Sequence, residues 1–165
     1  MSHESYSNAY LLRILNSVRS IAMVGASSKW NRPSYFAMKY LQEKGYRVIP
    51  VNPRLAGTTL LGETCYARLG EIPEPIDMVD IFRASHEAAA IVEEAVANKN
   101  AKEIGVIWMQ LGVVNAEAAA SAESAGLDVV MNRCPKIEFG RLHAELAWGG
   151  FNTGVITSKR RRVPS

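Results

Sequence analysis

Five short apolar runs, spaced by helix-like or loop-rich sequence, constrain the fold of this chain more than any other feature. They are Ser20–Gly25, Tyr46–Val51, Ile76–Phe82, Glu103–Met109 and Leu127–Met131. Each is too short for a helix and too continuously apolar for a strand with one wet face. Each therefore predicts a strand buried on both sides. Helical patterns fall between them. Pro33 suits a first helical turn, with Phe36, Ala37, Tyr40 and Leu41 on its buried side and Gly45 closing it. Ser85 offers an N-cap before Ala88, Ile91, Val92 and Ala95. Val114–Ala125 is rich in alanine and ends at Gly126, and Cys134-Pro135 leads into a last helix through about Ala147. Leu11, Ile14, Leu15 and Val18 mark an extra amphipathic helix before the first strand. The stretch 52–75 reads as loop, with a short helix near Cys65–Leu69. The class is thus α/β: a doubly wound parallel sheet of about five strands, expected in the order 3-2-1-4-5. Residues 1–148 read as one domain. Residues 149–165 read as an extension, in which Val155–Thr157 would add an edge strand.

Charge and cysteine usage narrow the function classes. The chain has 165 residues, 48% hydrophobic and 21% charged, an ordinary globular composition. Of its 19 basic residues, four are Lys159, Arg160, Arg161 and Arg162; without them 15 face 16 acidic ones. The basicity is a terminal tag, so a broad nucleic-acid face is not expected. No run reaches the roughly 18 apolar residues of a membrane span. The start, Met1-Ser2-His3-Glu4-Ser5, reads as a frayed end without the features of a signal peptide. A cytoplasmic location is the default expectation. Cys65 and Cys134 read as separate thiols, with neither zinc-ligand spacing nor a disulfide framework. No metal site is expected.

In an open parallel sheet, ligands bind beyond the carboxyl ends of the strands. Those ends carry Gly25-Ala26-Ser27-Ser28-Lys29-Trp30-Asn31-Arg32-Pro33-Ser34, Asn52-Pro53-Arg54, Arg83-Ala84-Ser85, Gln110-Leu111-Gly112 and Asn132-Arg133-Cys134. All but the fourth hold an arginine, and none holds Asp or Glu. Such a rim suits a ligand with several phosphates, because guanidinium can bind phosphate through paired hydrogen bonds. Gly25 permits a tight turn, and the helix N-terminus behind Pro33 can face a pyrophosphate. Ser27, Ser28 and Ser34 add hydroxyls. The G-x-G-x-x-G fingerprint is absent, and strand two ends in Asn52-Pro53-Arg54 where a nicotinamide site places an acid. A cation there fits an extra ribose phosphate, which both NADP and coenzyme A possess. The residue chemistry leaves both open.

Val24-Gly25-Ala26-Ser27, Arg32-Pro33-Ser34, Val51-Asn52-Pro53, Val79-Asp80-Ile81-Phe82-Arg83 and Asn132-Arg133-Cys134-Pro135 together resemble the stand-alone CoA-binding domain proteins. That family is similar to the nucleotide-binding N-terminal domain of the succinyl-CoA synthetase α subunit. The resemblance runs from about Leu15 to Leu142. It implies a Rossmann-like fold that binds coenzyme A, free or acylated, at the strand ends. It implies a pyrophosphate at Gly25–Ser28 with Arg32, and an adenosine end near Asn52, Pro53 and Arg54. The loop after Phe82-Arg83 would run along the ligand, and Trp108 and Gln110 would border the pantetheine path. The synthetase phosphohistidine belongs to a second domain without counterpart in these residues. The resemblance therefore implies binding, as a carrier or sensing module, and not ligase activity. No catalytic residue is assigned; the alternative, an NADP-dependent or acyl-CoA-handling enzyme, would have only His86 and Cys134 to draw on. His86 reads as a helix-start surface residue. Two readings of Cys134 stand: a thiol able to form a mixed disulfide with coenzyme A, or a small buried apolar residue. Asp80 either lines the site or holds loop backbone. No protein partner is indicated, and a homodimer is compatible with the sequence.

Overall fold

The computed structural model describes residues 1–148; the extension, its edge strand and its basic tail lie outside them. Helix α1 (Asn8–Ser17) precedes β1 (Ser20–Val24), and α2 (Pro33–Glu43) leads to β2 (Arg47–Val51). A small antiparallel hairpin, β3 (Thr59–Leu60) with β4 (Glu63–Thr64), occupies part of the stretch read as loop. Then come β5 (Met78–Ile81), α3 (Ala88–Ala97), α4 (Lys99–Lys102), β6 (Val106–Met109), α5 (Ala116–Ser124), β7 (Asp128–Val130) and α6 (Pro135–Trp148). Helix α4 ends at Glu103 with φ +59°, which shortens the fourth strand at its start.

Strand alternation sorts the apolar side chains into two cores. Ala22, Ile49, Val79, Ile107 and Val129 face α3 and α5, where Val92, Ala95, Ala118 and Ala122 pack on them. Ile21, Met23, Met78, Trp108 and Val130 face the other way, against Leu11 and Ile14 of α1, Met38 and Leu41 of α2 and Phe139 of α6. The doubly wound, Rossmann-like class stands. Asp80 falls on the second face, in register between Met23 and Trp108. Its side chain is fully buried and neither carboxyl oxygen has a hydrogen-bond partner. Burial holds that carboxyl well above the usual carboxylate range.

The five-stranded sheet has the order β2-β1-β5-β6-β7, all parallel. Counting the five apolar runs, this is 2-1-3-4-5, which corrects the expected 3-2-1-4-5. The reason lies in the stretch after β2. Tyr66 bridges Val51 in parallel register. Its N–H donates to Pro50 O at 3.1 Å, and its carbonyl accepts from Asn52 N–H at 2.9 Å. A one-residue bridge thus holds the place outside β2, and the third run takes the opposite side of β1.

Among the described residues, the other edge, β7, is met by side chains. Tyr10 Oη donates to Val129 O at 2.8 Å and accepts from Val129 N–H at 3.1 Å. Tyr6 Oη accepts from Met131 N–H at 2.7 Å. Burial, then the nearby Asp128 carboxylate, push the Tyr10 hydroxyl up to about 12. His3 lies 2.7 Å from Tyr6 Oη and 3.2 Å from Glu123, so the chain start expected to fray is tied down.

Candidate functional site

The chain leaves β1 toward β2 on one side and returns to β5 on the other. A crevice opens where such an order reverses, and a cleft of about 670 Å³ lies there. That is within the size range of small-molecule sites.

The turn out of β1 shapes it. Gly25 has φ +94°, and its N–H donates to Val51 O at 2.9 Å. A Cβ at this position would stand 2.4 Å from Phe82 O and 2.8 Å from Arg83 Cδ. Only glycine permits the β1 and β5 ends to approach so closely. Asn52 fixes the loop that follows: its Nδ2 donates to Ala26 O at 2.8 Å, while its Oδ1 accepts from Arg54 N–H at 2.9 Å. One side chain therefore ties the end of β2 to the loop after β1 and starts the 3-10 turn Pro53–Leu55. Ser27 Oγ accepts from Lys29 N–H at 3.1 Å. Helix α2 begins at Pro33 with no side chain capping it, since Arg32 stands at the cap position. Pro33 has no N–H, and Tyr35 and Phe36 donate theirs to Arg32 O at 3.0 and 3.3 Å, so the helix start offers an anion its dipole and the Ser34 residue that lines the cleft.

Of the residues singled out from sequence, Gly25, Ala26, Ser27, Ser28, Lys29, Arg32, Pro33, Ser34, Asn52, Arg54, Phe82, Arg83 and Gln110 line this cleft. Three do not. Pro53 opens the 3-10 turn behind Asn52. Trp108 is fully buried under α1, α2 and α6, with its Nε1 donating to Arg133 O at 2.8 Å. Arg133 turns to the chain start: Nη2 donates to Glu4 O at 3.1 Å, Nη1 to Asn132 O at 2.8 Å, and the guanidinium lies over the Tyr6 ring. Leu55, Leu111, Gly112 and Val113 also line the cleft. Leu111 and Gly112 belong to the segment after the fourth strand, so position was the available signal; Leu55 and Val113 gave none.

Lys29, Arg32, Arg54 and Arg83 bring four cations to the wall, and no Asp or Glu lines it. Arg83 is partly neutralised from behind. It gives Glu87 two hydrogen bonds, from Nε at 3.2 Å and Nη2 at 2.7 Å. Those bonds hold the Glu87 carboxyl below its ordinary value. Asp80, being fully buried, is not on the wall. His86 is exposed on the 3-10 turn Ser85–Glu87. The Ser85 hydroxyl does not cap α3; it accepts from Val114 N–H at 2.9 Å and steadies the loop after β6. Cys65 and Cys134 are both free and buried. Among the described residues no helix is long and apolar enough to cross a membrane.

A family model described as CoA binding domain matches residues 19–140. The uncharacterized protein YneT of Bacillus subtilis (strain 168) is 36% identical over 131 residues, covering 79% of this chain and 93% of that protein. The acetate–CoA ligase [ADP-forming] I subunit alpha of Pyrococcus furiosus is 30% identical over 110 residues, 64% of this chain but 24% of that subunit. A solved structure of a hypothetical protein from Pyrococcus horikoshii OT3 superimposes with a TM-score of 0.77 at 38% identity, covering 84% of this chain and 93% of that one.

Proposed function

The chain belongs to the CoA-binding domain family, and from that premise we propose that its strand-end cleft binds coenzyme A or an acyl-CoA as a carrier or sensing module. The observation that carries the reading is the gathering of Lys29, Arg32, Arg54 and Arg83 on one acid-free wall at the topological switch point. The uncapped start of α2 and the Gly25–Ser28 turn receive the pyrophosphate. Arg54, on the 3-10 turn after β2, faces the ribose phosphate that distinguishes coenzyme A from its dephospho form. Gln110 and Leu111 border the pantetheine arm. Trp108 and Arg133 take no part, since one is packed in the core and the other is engaged with Glu4. The chain spans about a quarter of the P. furiosus ligase subunit, and no ligase chemistry is carried over to it.

Calorimetry of the full chain with CoA, dephospho-CoA and NADPH tests the reading. A hydrogen bond to a charged group contributes about 1.5–3 kcal/mol, so dephospho-CoA should bind roughly 10- to 100-fold more weakly than CoA. Arg54→Ala should remove most of that gap. NADPH should bind more weakly than CoA. Absence of CoA binding refutes the proposal. Equal affinity for CoA and dephospho-CoA, unchanged by Arg54→Ala, refutes the ribose-phosphate contact.

A further inference from the structure

A second cavity of about 340 Å³ adjoins the main cleft and shares Pro33, Gln110 and Leu111 with it. Its chemistry is the opposite of the first. Phe36 and Ala37 of α2 form one wall, and Cys134 and Ile137, at the start of α6, form the other. The single cation on its lining, Lys136, has its Nζ held 5.3 Å over the Tyr40 ring. Phe36, Leu111 and Ile137 are 50%, 57% and 53% exposed, so apolar surface that a ligand would cover is left to water. At the seam between the two cavities stands Gln110, whose Oε1 is buried with no hydrogen-bond partner.

One kind of molecule matches both cavities at once: a polyanionic head, an amide-bearing arm and an apolar end. We infer that the ligand is an acyl-CoA with an uncharged aliphatic acyl group, and that this group lies in the second cavity. The inference rests on the CoA-binding reading above and adds the class of acyl group. The phosphates lie against the cations of the first cavity, the pantetheine arm passes Gln110 at the seam, and the thioester enters past Leu111. At about 30 Å³ per water-sized group, the cavity holds on the order of ten such groups. Shared with the end of the pantetheine arm, that accommodates roughly four to eight acyl carbons. A carboxylated acyl group is selected against, because its charge would be desolvated against Phe36 and Ile137, and among the described residues of the lining exposed Lys136, over the Tyr40 ring, is the one cation set against that cost.

The test is calorimetry of the full chain with CoA, acetyl-CoA, hexanoyl-CoA and succinyl-CoA. Each buried methylene is expected to tighten binding by about threefold to fourfold. Hexanoyl-CoA should therefore bind at least about tenfold tighter than CoA, with acetyl-CoA between them and succinyl-CoA no tighter than CoA. Ile137→Asp should abolish the hexanoyl preference and leave CoA affinity within about twofold. Phe36→Ser provides a second route if the first variant melts early. If CoA binds but hexanoyl-CoA binds no tighter, the acyl assignment is overturned while the CoA reading stands. A hexanoyl preference that survives both variants also overturns it, because the chain then lies elsewhere. If no CoA compound binds, both readings fall.

Discussion

Replacing Gly25 with alanine asks whether the close approach of β1 to β5 builds the cleft. Two costs can be worked out separately. At φ +94° an L side chain costs about 1–2 kcal/mol. The added Cβ would also stand 2.4 Å from Phe82 O and 2.9 Å from Phe82 C. That backbone cannot retreat freely, since Phe82 N–H donates to Val24 O at 2.8 Å. Overpacking of this kind costs about 1–3 kcal/mol. The stiffer unfolded chain offsets about 0.4–1 kcal/mol. The net loss is about 1–4.5 kcal/mol, and at about 2–4 °C per kcal/mol the melting temperature should fall by roughly 2–18 °C. Gly57→Ala is the matched control: φ is +85°, yet nothing lies within 4 Å of its Cβ. It bears the dihedral cost alone and should lose about 1 kcal/mol. Thermal melts and CoA titrations of both variants decide the matter. Gly25→Ala should also weaken CoA by at least about tenfold, and Gly57→Ala should not. Equal melting losses in the two variants, with CoA affinity intact in both, would refute the reasoning.

Three further outcomes are expected. Asp80→Asn removes a carboxyl whose folded-state value is raised by burial. The wild-type penalty is absent below the unfolded value of about 3.9 and grows by about 1.4 kcal/mol per pH unit above it, up to the folded value. The melting temperature of Asp80→Asn relative to wild type should therefore rise between pH 4 and 7; a flat difference contradicts the buried, unpaired state. Glu87→Gln removes the carboxylate that holds Arg83 and should tighten CoA by about twofold to fivefold at low salt, fading at high salt; calorimetry at two ionic strengths reads this. Tyr10→Phe takes away the hydroxyl that serves both polar groups of Val129 and should cost about 1–3 kcal/mol, measured by urea unfolding.

The strands were legible because runs buried on both faces are nearly continuous in apolar residues. Their order was not. The bridge at Tyr66 is one residue long, and no periodicity exists at that length, so stretch 52–75 read as loop while it held a sheet edge. Position at a strand end located most of the cleft wall, because the turn at Gly25 and the start at Pro33 leave a local trace. It failed where direction mattered. Trp108 follows the parity of β6 into the core on the α1, α2 and α6 side. Arg133 is drawn to Glu4, 129 positions away in the chain, a pairing that local sequence cannot announce. The pairing of Arg83 with Glu87, four residues apart, is by contrast a local one of the kind that sequence spacing carries.

Among the described residues, Tyr6 and Tyr10 take the place of a strand beside β7. Main-chain donors at Val129 and Met131 are satisfied by phenol groups rather than by another strand. Trimming the chain ahead of α1, or splicing a bulky fusion there, would remove Tyr6 from Met131 and leave Tyr10, inside α1, as the sole phenol on this rim. The bared Met131 N–H would then offer a foothold to any second molecule, and association through that rim would follow before loss of the fold itself.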